Sequence, residues 1–188
     1  MRKISTEAIG KFSHHYPKVA AIITASYGGR DNAMTAAWHS SISFNPPIYG
    51  VSLSPKRFTY QLIRESKEFG INFISFEKAS IAASIGGTSG QKMDKFGELG
   101  IAKEKGIKTG VPLLKDAYAC YECRLRDSQA YGDHIWVVGE IVATHFQEGL
   151  LAESGILDLE RVKPLLYLSS DFYATLDKDS VNFIKRGI

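Results

Sequence analysis

No aspartate or glutamate occurs between Asn32 and Arg64 of this 188-residue chain. Its 20 acidic residues, spread evenly, would place about three or four in a window of that length. Toward the end of the window stands Ser54-Pro55-Lys56-Arg57-Phe58-Thr59. Ser54 has the side chain of a helix N-cap and Pro55 suits the first helical position, which predicts a helix from about Lys56 to Ser66. A helix start exposes unpaired backbone N–H groups and carries a partial positive charge of about half a unit. With the Lys56 and Arg57 cations and the Ser54 and Thr59 hydroxyls, this start suits a dianionic phosphate. The same residues also describe a capped surface helix with two solvated cations, and residue types alone do not separate the two.

Upstream, small and hydroxyl-bearing residues (Thr35, Ser40, Ser41, Ser43) surround a lone Trp38. Large side chains would fill a sheet wall; these leave room and supply donors, as a flat, polar-edged ligand with a phosphate tail requires. A tryptophan in such a wall is also an ordinary packing residue. Strand alternation puts Met34, Ala36, Trp38 and Ser40 on one face and Thr35, Ala37, His39 and Ser41 on the other. For both sets to meet one ligand, some contacts must come from the backbone, or the strand must bulge. Gly86-Gly87-Thr88-Ser89-Gly90 reads as a helix stop and turn, or as a phosphate cradle, with Lys95 just beyond it. His134 follows Gly132-Asp133 at the mouth of a strand, where a histidine is either solvated or poised over a ligand. Cys120 and Cys123 form a C-x-x-C, but in a stretch that reads as strand, where an offset of three sends the two sulfurs to opposite faces. No triad, paired-carboxylate or metal-binding spacing stands out, and His14-His15 has no partner.

The elements that must position these residues are mostly strands. Apolar or alternating runs predict strands at Val19–Ala25, from near Met34 to Phe44, and at Ile48–Leu53, Ile71–Phe76, Ala117–Leu125 and Ile135–His145. Tyr27 to Asn32 has turn chemistry, and Pro46-Pro47 interrupts pairing at a sheet edge or corner. A second short helix is expected at Glu77–Ile85, a poorly patterned excursion at Gln91–Gly110, and a helical turn at Leu157–Val162. The result is one domain over residues 1–188, mostly β with helical insertions, its strands in an antiparallel meander. A hydrophobic content of 44% and a charged content of 23% are those of an ordinary globular protein. The net charge of +3, with scattered Lys and Arg, argues against nucleic acid. No apolar run approaches the roughly 20 residues needed to cross a bilayer. Met1 to Lys11 lacks the order of a secretory signal, so a cytoplasmic location is expected, without membrane attachment.

Taken in order, these segments resemble a known family. They are Met34-Thr35-x-x-Trp38, Ser40-Ser41-x-Ser43, Asn45-Pro46-Pro47, Val51-Ser52-Leu53-Ser54 and Lys67-Glu68-Phe69-Gly70-Ile71-Asn72. Ser89-Gly90, Asp94-Lys95-Phe96, Glu122-Cys123 and Gly132-Asp133-His134 leading into Val138-Gly139-Glu140 follow. Over roughly residues 17–145 the chain is similar to the flavin reductase-like proteins, closest to their flavoredoxin and archaeal ferric reductase-type branch. The resemblance implies an antiparallel split β-barrel of the FMN-binding type, with NADH or NADPH as possible electron donor. It implies a phosphate site at Ser54, Lys56, Arg57 and Thr59, with Ser89 and Lys95 at the rim. It places Met34, Thr35, Ala36, Trp38, Ser40 and Ser41 along the flavin and His134 near the flavin face, and adds Tyr167 from the C-terminal segment. It further implies a homodimer with flavin near the subunit interface, which the segment around Tyr167–Tyr173 would help close. The activity implied is NAD(P)H-dependent flavin or ferric reduction. A flavoredoxin-like electron carrier or FMN-storage protein, serving a redox partner protein, is the alternative. A barrel holding another ligand, such as haem, is a third.

Overall fold

Val19-Ala20-Ala21-Ile22-Ile23-Thr24-Ala25 is apolar on both faces, and its larger part forms a strand buried on both sides. The computed structural model describes residues 1–187. In chain order it contains β1 (Lys18–Val19), β2 (Ala21–Tyr27), β3 (Arg30–Ala36), β4 (His39–Phe44), β5 (Pro47–Leu53), α1 (Phe58–Ser66) and β6 (Glu68–Phe73). There follow α2 (Ala79–Gly87), α3 (Lys95–Glu98), β7 (Lys103–Lys105), β8 (Pro112–Leu114), β9 (Ala119–Tyr131), β10 (His134–Phe146), β11 (Leu166–Ser169) and β12 (Phe172–Ala174). No described helix is long and apolar enough to cross a membrane.

Seven strands form one antiparallel sheet in the order β3-β2-β6-β9-β10-β5-β4. The architecture is mostly β, at 42% strand and 17% helix, but the sheet does not close into a continuous barrel. Its two edges, β3 and β4, are not hydrogen-bonded to each other, although only Ala37 and Trp38 separate them in the chain. Alternation divides β2 between two cores. Ile22 packs with Ala33, Ile74, Ala82, Ile85, Phe96 and Leu165 on one face. Ala21, Ile23 and Ala25 pack with Val51, Leu53, Leu62, Ile63, Phe69 and Val137 on the other. The same rule separates the cysteines as expected, Cys120 joining the first core and Cys123 the second. Burial pushes both thiols up, Cys120 to about 12, so both stay protonated and inert near neutrality.

Several boundaries differ from expectation for local reasons. Gly28 and Gly29, at φ +59° and +75°, complete the β2–β3 turn by themselves. Asn32, expected in the turn, therefore lies inside β3. The single strand expected from Met34 to Phe44 is two, broken at Ala37-Trp38, where the Trp38 carbonyl accepts from Ser52 N–H at 2.8 Å. Ser54 to Arg57 fold back as a turn, Arg57 N–H donating to Ser54 O at 3.0 Å. The helix consequently begins at Phe58 with Arg57 at the cap position, and the Ser54 side chain does not cap it. Lys67, in the left-handed region at φ +62°, ends α1 so abruptly that β6 starts at Glu68, three residues before the predicted strand. The second helix falls at Ala79–Gly87 rather than Glu77–Ile85, because Phe76 to Lys78 form a separate 3-10 turn.

A buried carboxylate fixes the excursion to the sheet. Glu122 on β9 is fully buried. It accepts from the N–H groups of Ile107, Lys108 and Thr109 at 2.8, 3.0 and 2.7 Å and from the Thr109 hydroxyl at 2.7 Å, with His145 Nε2 also at 2.7 Å. Burial pushes this carboxyl up, but the bonds from Thr109, His145, Ile107 and Lys108 outweigh it and hold it down at about 2. Against an ordinary value of 4.5, such a depression contributes about 3 kcal/mol. That contribution is complete above about pH 4.5 and is lost as pH falls toward 2. Glu122→Gln should therefore lower stability at pH 7 by about 2–4 kcal/mol and flatten the acid limb of the stability profile, measured by urea denaturation from pH 2 to 7. An unchanged acid limb would show that Glu122 does not clamp this loop.

Candidate functional site

The turn before α1, the middle of β3, the end of α2 and the start of α3 converge on one cleft. Met34, Thr35, Lys56, Arg57, Thr59, Ser89 and Lys95, all singled out in the sequence, line it together. Asn32, Phe58, Thr88 and Gly90 complete much of the wall, and among the described residues no carboxylate lines it. Three cations therefore share a cleft with no carboxylate in its lining, while Asp133, outside the lining, feels the Lys56 charge. Lys95 is the most constrained. It is buried, and its Nζ donates to the carbonyls of Ala33 at 2.9 Å and Ile85 at 2.7 Å. An ammonium has three N–H groups, so one remains for the cleft. Burial lowers this amine to about 8, with the Arg57 charge adding to the effect.

Two clefts continue from the first. Thr35 and Gly86 are shared with a second, whose wall includes Ala37, Ala83, Tyr167, Asp171 and Tyr173. Thr35 Oγ1 donates to Ala82 O at 2.6 Å, which ties β3 to α2 at this junction. Small residues (Ala37, Ala83, Gly86, Gly87) hollow the second cleft, and the Tyr167 and Tyr173 rings, 5.5 Å apart, bound it. Ala37 in turn lines a third cleft with Trp38, Ser40, Ser41, His39, Tyr49 and Trp136. The alternation problem is resolved by the break between β3 and β4. Ala37 and Trp38, outside both strands, line one cleft with His39, Ser40 and Ser41 from the start of β4, which is bulged between Ser41 and Ser43.

Not every candidate converges. Ala36 is buried in the second core, so only its backbone is available to a ligand. Ser54 stands outside the lining of the cationic cleft, its Oγ accepting a long 3.4 Å bond from Lys56 N–H. His134 lies beside Trp38, ring centroids 5.0 Å apart, with Nδ1 2.7 Å from Asp133 Oδ1. One residue of the cleft, Asn32, and one behind its wall, Arg30, escaped the sequence reading. Arg30 donates to Gly90 O at 2.8 Å and lies 4.4 Å over the Phe58 ring, joining the glycine loop to α1. Asn32 is buried in the wall and donates to Thr59 Oγ1 at 2.7 Å. Asn32 stands third in the polar first half of β3, Arg30-Asp31-Asn32, next to the glycine turn, and residue types there carry no signal that sets it apart.

Residues 13–176 match the family model described as a flavin reductase like domain. A relative from Aeropyrum pernix is 36% identical over 169 residues, covering 89% of this chain, which spans 63% of that protein's length. A protein of Lentzea aerocolonigenes named flavin reductase (NADPH) is 34% identical over 128 residues, covering 67% of this chain and 72% of its own. Among solved structures, an FMN-binding protein from Thermus thermophilus with bound 1-cyclohex-2-enone superposes with a TM-score of 0.85 at 33% identity. That match covers 97% of this chain and 99% of the other. Flavoredoxin from Methanosarcina acetivorans superposes with a TM-score of 0.82 at 26% identity, covering 100% and 96%.

Trp38 is 38% exposed and belongs to neither main core, whereas Phe69 is fully buried. Trp38→Ala should accordingly cost under about 1 kcal/mol of stability, against about 3–5 kcal/mol for Phe69→Ala, both measured by urea denaturation. Equal losses would make Trp38 a packing residue rather than a lining one.

Proposed function

Because the chain belongs to the flavin reductase-like family, we propose that it is an FMN-binding flavoprotein that takes a hydride from NADH or NADPH and passes electrons to free flavin, ferric iron or a partner protein. When bound, the flavin supplies the redox chemistry, and the protein supplies binding, orientation and electrostatics. The observation that carries this reading is the acid-free cleft with Lys56, Arg57 and Lys95 in its wall, opening past Thr35 and Gly86 toward Trp38. These residues fit the group: cations and hydroxyls where a phosphate would lie, small residues and rings where a flat heterocycle would. Lys56 and Arg57 hold the phosphate, with Thr59 and Ser89 as neutral donors. Met34 and Thr35 follow the sugar-like chain. Trp38, Ser40 and Ser41 stand at the ring system, with His134 beside Trp38 and Tyr167 across the second cleft. Ala36 contributes through the backbone, and Ser54 by closing the turn that presents Lys56 and Arg57, its carbonyl accepting from Arg57 N–H.

The seven-stranded sheet with adjacent, unpaired edges is the split barrel of this proposal, supported by the likeness to FMN-binding and flavoredoxin structures. A pyridine nucleotide donor is supported by the relative named flavin reductase (NADPH). The likeness to flavoredoxin supports the second reading, an FMN electron carrier or storage protein without NAD(P)H oxidation of its own. A homodimer is part of the proposal, since edge strand β4 leaves Ile42 and Phe44 49% and 96% exposed. So is a cytoplasmic location.

A visible spectrum of the purified protein, followed by release and identification of the chromophore, tests the flavin reading; a colourless protein that takes up no FMN would sink it. Steady-state oxidation of NADH and NADPH with added FMN separates reductase from carrier. Lys56→Ala with Arg57→Ala should weaken FMN binding by at least about a hundredfold, each charge-assisted bond to phosphate being worth about 1.5–3 kcal/mol. Riboflavin binding should change little, and equal losses would place the phosphate elsewhere. Lys95 adds a pH dependence. Below about pH 8 the free protein carries its charge, and above that value the charge is lost, so FMN affinity should fall as pH rises through 8 while riboflavin affinity stays level. Lys95→Met should bind FMN more weakly at neutral pH and lose this fall; an unchanged profile would remove Lys95 from the phosphate site.

A further inference from the structure

The clefts differ in charge as well as in shape. The first carries Lys56, Arg57 and Lys95. The second shares Thr35 and Gly86 with it, but among the described residues its one charged group is Asp171. The Asp171 side chain is exposed, and no ion pair among the described residues uses it. It stands near enough to Tyr173 that, after burial and Tyr167, its charge pushes the Tyr173 hydroxyl up. The Tyr167 and Tyr173 rings, 5.5 Å apart and tilted by 54°, bound the same space.

The turn that presents Asp171 is not the one that backbone preference selects. Ser170-Asp171 joins β11 to β12 with φ of +52° and +64°, after Ser169 at +114°. A two-residue hairpin turn with φ positive at both positions favours Asn-Gly or Asp-Gly, because glycine takes such angles freely. Here three successive side chains are held at positive φ, a strain of the kind that gathers at binding sites. Glycine at 171 would relieve it and would remove the carboxylate. The second cleft also has room for a ligand of its own. It measures about 530 Å³ and the third about 510 Å³, each within the roughly 300–1,000 Å³ of a whole small-molecule site. With the flavin ring beside Trp38 in the third, the second is left over. A carboxylate beside two aromatic rings attracts a flat cation, by its charge and by the negative faces of the rings. The geometry points to the second cleft as the subsite of a small aromatic cation of the pyridinium class, with Asp171 as the residue that selects its charge. The inference rests on the FMN reading of the neighbouring clefts and adds to it a second ligand and the residue that chooses it.

The probes are 1-methylnicotinamide, a flat pyridinium, and 3-methylbenzamide, its neutral counterpart of the same shape. Each is titrated by calorimetry into the FMN-loaded protein at low salt. Wild type should bind the cation about tenfold more tightly than the neutral probe. Asp171→Asn should lose about three- to fivefold for the cation and keep the neutral probe within about twofold of wild type. Asp171→Gly should lose the same preference without unfolding at a lower urea concentration, because its φ suits glycine. That result separates the carboxylate's part in binding from any part in holding the turn. If loaded wild type does not distinguish the probes, or the two variants keep its preference, the inference falls and the FMN reading stands. If the protein takes up no FMN, both fall.

Discussion

Two residues, Ala37 and Trp38, carry the chain from one edge of the seven-stranded sheet to the other. Two residues span roughly 7–10 Å at most between strand ends, whereas seven flat strands would set the edges about 29 Å apart. The sheet can accept this connection only by curling until its edges face each other. That constraint places the interior core, brings α1 and α2 over the open edge, and directs the irregular backbone at Ala37-Trp38 toward the clefts. Cleft and fold thus have one origin: the place where the ladder fails to close is the place where a ligand can enter.

Around that seam the polar groups are handled in two ways. Far from it, Glu122 is satisfied by a ring of backbone N–H groups, a hydroxyl and an imidazole, all within the protein. At the seam, satisfaction is partial. Lys95 has used two of its three N–H groups. A buried group that is fully paired stabilises the fold; one left short of partners is a standing demand on a ligand. The contrast between the two regions supports the proposal that the cationic cleft binds a ligand, while the Glu122 network clasps the loop to the sheet.

Much of this was legible in the sequence because it rests on composition and period. The acid-free window is a one-dimensional signal and required no knowledge of contacts. The divergence of Cys120 and Cys123 followed from the two-residue repeat of a strand. Other features are set by tertiary structure. The Met34–Phe44 segment reads as one strand by residue type, and only the opposed sheet edges explain why it breaks at Trp38. Asn32 was absorbed into a turn because Gly28 and Gly29 make that turn in fewer residues than their polar neighbours suggest. The Ser54 cap was outcompeted by a backbone turn between Ser54 and Arg57. Nothing in the residues around Lys95 announces that its amine is buried against two carbonyls from distant elements.

The packing of the Asn32 amide on Gly90 has an evolutionary consequence. Neither position can drift alone. A side chain at 90 would displace the amide, and losing the amide would leave a hole that glycine cannot fill. Among relatives of this chain the two positions should therefore change as a pair, a larger residue at 90 accompanying a smaller one at 32.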